Sequence, residues 1–236
     1  MGPRGIPILR DFEPFQHADL VFLESMYGDR DHRLFVDSAE EFVCAVKEAV
    51  ASGGKILVPT FAIGRTQLLE GLLGWMFRRK RVVPLPIFLD SPMAIEATRI
   101  YTEHRELFDD DMQRFISEHP LRDDLVTLKV TATANESIKI NEHKGPCLIL
   151  AGSGMCNAGR IVHHLKHNLW RKETHILFVG YQGQNSLRRR IVDGQPIVSI
   201  HGERIVVRGQ VHTLGGVQRA RRPKGSPRLA QCYSAK

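Results

Sequence analysis

A chain of 236 residues, 42% apolar and 25% charged, is long enough for one large domain or two small ones and has the balance of a globular protein. No apolar run reaches the length needed to cross a membrane, MGPRGIPILRD lacks a secretory h-region, and Cys44, Cys147, Cys156 and Cys232 form no CxxC pair; the expectation is a soluble, reduced, cytoplasmic protein. The formal charge of +7 invites a nucleic-acid reading, yet six of those seven charges lie in residues 217–236, where Arg219, Arg221, Arg222, Lys224, Arg228 and Lys236 stand without an acid.

Residues 19–24, DLVFLE, read as a buried strand with an acid at its end, followed by the loop SMYGDRDHRL. Ser38 is expected to begin a helix, with Glu41 at capping-box spacing and Phe42, Val43, Val46, Ala49 and Val50 on one face. Ser52-Gly53-Gly54 ends it. KILVPTF is a short β-rich run, and Gly64 opens the helix RTQLLEGLLGWMFRRK. PLPIFLD is a strand, and Ser91 caps the helix PMAIEATRIYTEH, with Pro92 at its first position. Residues 105–145 are more polar; a helix is predicted around Asp110–Glu118 and a strand or helix start near 125–131. CLILAG is a strand, GSGMCNAG a Gly-rich loop and RIVHHLKHNLW a helix. HILFVGY is a strand, SLRRRIVDG a short helix closed by Gly194, and ERIVVRGQVHTL one long alternating strand.

This alternation with short connections predicts an α/β fold with a largely parallel sheet. Ligands of such sheets gather at the carboxyl ends of the strands. Four stretches fall there: Glu24-Ser25, residues 60–66, Asp90-Ser91 and residues 151–160.

The strongest local signal is AGSGMCNAGR, at 151–160. Its glycines let backbone N–H groups approach a phosphate, the following helix N-terminus favours anions, and Arg160 adds a cation. The spacing matches neither GxxxxGK[ST] nor GxGxxG, so a tight turn that binds nothing stays open on pattern alone. Arg65-Thr66 is a second donor cluster, with helix capping plus a surface arginine as its plainer reading. Asp90-Ser91-Pro92 is most simply a helix start. His163, His164 and His167 share a helix, but no acid or cysteine accompanies them at HExxH spacing, which favours packing or solvated histidines over zinc ligands. Asp29, Asp31 and His32 read as a solvated loop. No HxHxDH occurs in the chain, and no Ser/His/Asp arrangement can be assigned.

Taken in order, DLVFLESMYGDRDHR, GGKILVPTFAIGRTQLL, PIFLDSPMA, LILAGSGMCNAGRIVHHL, HILFVGYQGQNSLRRRI and VVRGQVHTLGG resemble the β-CASP branch of the metallo-β-lactamase-fold hydrolases, which includes RNA 3′-end processing nucleases and bacterial ribonucleases. The resemblance implies an α/β architecture: a β-CASP cap with a parallel sheet flanked by helices, plus a partial metallo-β-lactamase (αββα) domain. Residues 1–37 and 173–216 would belong to the hydrolase domain and 38–172 to the cap. It further implies a cleft for single-stranded RNA. Glu24 matches the acid after the hydrolase strand, Ser153, Gly154 and Arg160 the cap loop that contacts RNA phosphate, and Arg65 and Thr66 a GR[TA] element lining the same cleft.

Intact members use two zinc ions to make a hydroxide and clamp the phosphodiester. Their HxHxDH ligands and later histidines have no match here, so no zinc is expected on this chain. The implied function is a fragment of a zinc-dependent β-CASP ribonuclease, inactive on its own. The alternatives are a non-catalytic RNA- or phosphate-binding module and a subunit completed by a second chain.

After VHTLGG the family continues FSAHADQ, whereas this chain reads VQRARRP. One synonymous coding, GTT CAG CGC GCA CGC CGA CCA A, gives FSAHADQ when its first base is dropped, and the same shift permits RALLAWLSAI beyond it. Residues 217–236 are therefore expected to be out of frame, the alternative being a basic, disordered extension. The codons at 217–223 decide between them.

Overall fold

The computed structural model describes residues 7–11, 13, 16–20, 22, 35–180, 183 and 185–214. Six short apolar runs become strands of one sheet: β1 (Lys55–Pro59), β2 (Ile87–Asp90), β3 (Leu128–Val130), β4 (Cys147–Ala151), β5 (His175–Val179) and, reached last, β8 (Gln210–Leu214). Their spatial order is β3-β2-β4-β1-β5-β8, and every pairing is parallel. Parallel strands need crossovers, and the intervening sequence supplies them as helices. These are α2 (Arg65–Arg78), α3 (Pro92–Glu103), α4 (Asp110–Glu118), α5 (Leu121–Asp124), α6 (Ala134–Lys139), α7 (Arg160–Asn168) and α8 (Leu187–Val192), while α1 (Phe35–Ser52) precedes β1.

The period-2 alternation of the strands sorts their side chains onto two faces. Ile56, Val58, Ile87, Leu89, Leu148 and Leu150 join Phe42, Val46, Leu69, Leu73 and Met76 of α1 and α2 in one core. Leu57, Ile149, Ile176 and Phe178 join Ile161, Leu165, Leu187 and Ile191 of α7 and α8 in the other. Both faces are covered, which is why these strands read as continuous apolar runs. Removing each such aliphatic side chain from water contributes roughly 1.5–3 kcal/mol. Among the described residues no helix is long and apolar enough to cross a membrane.

Several expectations need correction. Helix α1 begins at Phe35, so Ser38 lies within its first turns instead of at its cap. No Gly or Pro between Leu34 and Ser38 stops the helix from extending upstream, and Asp37 suits its positive end. Of the strand expected at 19–24, residues 19, 20 and 22 are described and are not strand; Leu20 and Phe22 are 74% and 91% exposed. An apolar run becomes a strand only where a ladder meets it, and no described residue offers one. The long strand expected at 203–214 is two strands in different sheets. β6 (Ile197–Ile200) and β7 (Glu203–Val206) form an antiparallel hairpin, closed by His201 and Gly202 at φ 50° and 80°. Val207 N then donates to Pro196 O, while Arg208 N and Gly209 N both turn to Leu169 O, carrying the chain to the main sheet as β8. Helices α5 and α6 were not foreseen. Strands β5 and β8 of the segment 173–216 extend the sheet that holds β1–β4, which leaves the expected division into cap and hydrolase segments untouched. The tail at 217–236 lies outside the described residues.

A buried histidine pair ties α1 to this sheet. His175 Nδ1 lies 2.9 Å from His212 Nε2, and Ser52 Oγ lies 3.1 Å from His175 Nε2. Burial pushes both rings down to about 4; for His175 the neighbouring His212 adds to this and Glu48 opposes it. The unfolded chain takes up these protons near pH 6.5, the folded chain only near pH 4. Stability from the neutral pair is therefore full above pH 6.5 and drains as the pH falls towards 4, by up to about 1.4 kcal/mol per pH unit for the fully buried His175. Urea melts across this window should flatten in His175→Gln relative to wild type; superimposable pH profiles would refute the assignment.

Candidate functional site

The loops that follow β1, β2, β4 and β5 all leave from the carboxyl edge of the sheet, as the crossover rule requires. After β1 the chain is held to its neighbour by Thr60 N, which donates to Ala151 O at 3.0 Å. Thr66 is fully buried; its hydroxyl donates to Phe61 O at 2.7 Å and fastens the 60–66 loop from below. It therefore acts one step removed from any ligand. Arg65, the first residue of α2, reaches across to the end of β5: a Cβ placed on Gly180 would lie 3.5 Å from its Nη2.

The loop after β4 is folded tightly on itself. Ser153 N and Oγ both donate to Ala158 O, at 3.2 and 3.1 Å. Gly159 has φ +79°, and a Cβ there would sit 2.4 Å from Gly152 O, so only glycine closes the turn. Gly154 is required for a different reason. A Cβ on it would come within 2.7 Å of Cε2 of Phe61, so its bare backbone is what lets the Phe61 ring lie against the loop.

Arg188, which the sequence reading passed over, ties this loop down. It is the bulkiest of the fully buried side chains; Nη1 donates to Gly154 O at 2.9 Å and Nη2 to Gly180 O at 2.7 Å. Asn157 Oδ1 adds a bond from Leu187 N at 3.1 Å. In SLRRRIVDG three arginines look alike. The available signal was spacing: Arg188 stands i, i+3 from Ile191 and shares its buried face.

Asp90, expected only to start a helix, is the hub of the edge. Ser91 does cap α3, accepting from Ala94 N at 3.3 Å. The Asp90 side chain is fully buried and receives four partners. Thr131 Oγ1 and Arg160 Nη1 reach Oδ1 at 2.6 and 2.7 Å; Ser137 Oγ and His164 Nε2 reach Oδ2, both at 2.6 Å. Burial alone would raise its pKa. The bonds from His164, Ser137, Thr131 and Arg160 together outweigh that and hold the carboxyl below the usual carboxylate range.

Arg160 also donates to Thr131 O and Ala132 O, each at 2.7 Å, so three of its five N–H groups are committed within the protein. Its side chain keeps 21% exposure, leaving one edge of the guanidinium to face outward. His164 is occupied by Asp90, and His163 stacks on His201 with ring centroids 4.9 Å apart. Among the described residues no three His, Cys, Asp or Glu side chains converge as metal ligands.

Beside the Phe61 ring a cleft of about 480 Å³ opens, with Ile8, Arg10, Ile63, Arg65 and Tyr101 among its walls. The segment before it is latched in place: Ile8 N donates to Asp109 Oδ2 at 2.8 Å, and Asp109 N to Ile8 O at 2.9 Å.

Arg65, Ser153, Gly154 and Arg160 thus share one edge of the sheet, Thr66 lies beneath it, and Glu24 falls outside the described residues. Backbone N–H groups, an anion-favouring helix start at Arg160 and guanidinium groups make this edge suited to a polyanion.

Comparison with known proteins places the chain in a family. The Beta-Casp domain profile matches residues 66–191, just over half of the chain. The chain is 38% identical over 218 residues to "Ribonuclease TTHA0252" of Thermus thermophilus, covering 92% of this chain and 50% of that protein. It is 32% identical over 212 residues to "Transcription termination factor FttA" of Methanocaldococcus jannaschii, covering 86% and 33%, and 31% identical over 219 residues to its namesake in Thermococcus kodakarensis, covering 88% and 34%. The chain therefore spans about half the length of the bacterial relative and about a third of the archaeal ones.

Proposed function

The chain belongs to the Beta-Casp domain family, and from that premise we propose that it is the RNA-holding part of an RNA-processing nuclease. The observation that carries this reading is the convergence of Arg65, the 152–159 loop and Arg160 on one carboxyl edge of the sheet. In the proposal the Arg160 and Arg65 guanidinium groups and the loop backbone at Gly154 hold the phosphates of single-stranded RNA, while Ser153, whose N–H and hydroxyl both go to Ala158 O, shapes that loop. Thr66 supports the loop that carries Arg65. Glu24, outside the described residues, would orient a metal ligand or a proton in the complete hydrolase. The division into a cap at 38–172 and hydrolase segments at 1–37 and 173–216 belongs to the same proposal, with β5 and β8 as the ladder joining the two.

The family resemblance implies two zinc ions in a complete hydrolase. The described residues do not fit such a centre: His164 is spent on Asp90, and the rings of His175 and His212 are bonded to each other. Since the sequence also carries no HxHxDH, the proposal is that this chain grips RNA and leaves it uncut on its own.

Titration of the chain with single-stranded RNA at two salt concentrations tests this. Binding should weaken with salt, log K falling by about 0.7 per log unit of salt for each phosphate neutralised. Arg65→Ala should weaken binding and make that slope shallower by about one contact. Salt-indifferent binding, no binding, or cleavage of the RNA by the chain unaided would each overturn the reading.

A further inference from the structure

Phe61 is 46% exposed in a loop anchored at its two ends by the buried Thr60 and Thr66. Large apolar side chains scattered singly on a surface need no explanation. This one differs in its setting. Its ring edge rests on the bare backbone of Gly154, at a distance no side chain there would permit. Its carbonyl is fixed by the Thr66 hydroxyl. Arg65 follows it in the same loop, and both line the cleft that also holds Arg10 and Tyr101. A rigid aromatic face therefore stands between a phosphate-suited loop and an open cleft, flanked by cations.

We propose that Phe61 is a stacking platform for one nucleobase of the bound strand, the base adjacent to the phosphate at the 152–159 loop. This rests on the RNA-holding reading above and adds to it a subsite that recognises the base and not the backbone. The cleft walls combine apolar Ile8, Leu9, Ile63 and Leu68 with Arg10, Arg65, the Asp11 carboxylate and the Tyr101 hydroxyl; flat apolar walls beside guanidinium groups suit a strand whose phosphates are anionic and whose bases carry π faces. Every base has such a face, so the platform would tolerate all sequences while fixing the position of the strand. Gly154 then has a defined role, since any larger residue would push the ring off the loop.

The test compares two probes on the full chain: a short single-stranded RNA containing 2-aminopurine, and inorganic polyphosphate, which carries the charge without bases. Phe61→Ala should bind the RNA roughly five- to a hundredfold more weakly and polyphosphate as wild type does, with an unchanged salt slope. Phe61→Leu keeps an apolar side chain of similar bulk and guards against misfolding; it should lose nearly as much RNA affinity, because it lacks the π face. Phe61→Trp should retain binding and show tryptophan quenching on adding RNA that wild type does not. RNA binding by the Ala and Leu variants equal to wild type would overturn the platform while leaving the phosphate reading in place. Equal losses for RNA and polyphosphate would reassign Phe61 to loop structure. Failure of wild type to bind either probe would remove the RNA-holding reading and the platform with it.

Discussion

Asp90→Ala is expected to cost about 3–5 kcal/mol of stability, the largest effect of any single change at the site. The carboxylate is fully buried and is met by a guanidinium, an imidazole and two hydroxyls at 2.6–2.7 Å. Removing it leaves His164, itself 1% exposed, without its partner and strands the Ser137 hydroxyl, while Thr131 keeps only its bond to Leu89 O. Such a loss exceeds the worth of the bonds themselves, because the groups left behind stay desolvated. Asp90→Asn separates shape from charge. It keeps one acceptor but turns a donor towards groups that need acceptors, so it should recover less than half of the loss. Denaturant melts with a common slope measure both variants. The carboxyl titrates below the ordinary value near 3.9, so its contribution is full at neutral pH and drains only as the pH falls below that value. An alanine variant within about 1 kcal/mol of wild type would mean the hub is not coupled to the fold.

Arg188→Ala should cost roughly as much, about 3–5 kcal/mol, and should also loosen the Gly-rich loop selectively. The guanidinium spans Gly154 O and Gly180 O, fixing the loops after β4 and β5 to each other from below. Truncation opens a large cavity and leaves two carbonyls short of donors. Arg188→Lys is no rescue, since a single ammonium lacks the planar fork that reaches both carbonyls. Hydrogen exchange resolved by segment is the decisive measurement. Residues 152–161 should lose protection by more than the global loss explains, while β2 and β3 change only in proportion to it. Uniform loss across the sheet would make Arg188 an ordinary core residue.

The parallel sheet and its covering helices were legible because the buried strands carry continuous apolar runs and the helices carry Ser91, Gly53 and Gly64 at their ends. Helix α4 falls at Asp110–Glu118, where the sequence predicted a helix. The hairpin β6–β7 was not legible, because alternation has the same period in either sheet and nothing local states where the ladder changes partners. Arg65, Ser153, Gly154 and Arg160 were reachable from their position at strand ends. Asp90 was also placed at a strand end and Arg188 shares a helix face with Ile191, but their roles were not legible, because these arise from partners dozens of residues away, such as Ser137 and His164 for one and Gly154 for the other. A buried charge is invisible to a pattern that sorts charged residues outward.

The strand order has a consequence for how the chain comes into being. The central strand, β1, pairs only with β4 and β5, so Lys55–Pro59 is made long before either neighbour exists. On the ribosome a run of fully buried aliphatics must wait, roughly ninety residues, for its first ladder. The other pairings close over shorter stretches: β2 with β3 and with β4, β5 with β8, and the hairpin β6–β7. Folding should therefore be slow and governed by long-range closure. Nascent chains arrested before Cys147 would present an unpaired, sticky segment to chaperones, and release from that state should coincide with the emergence of Cys147–Ala151.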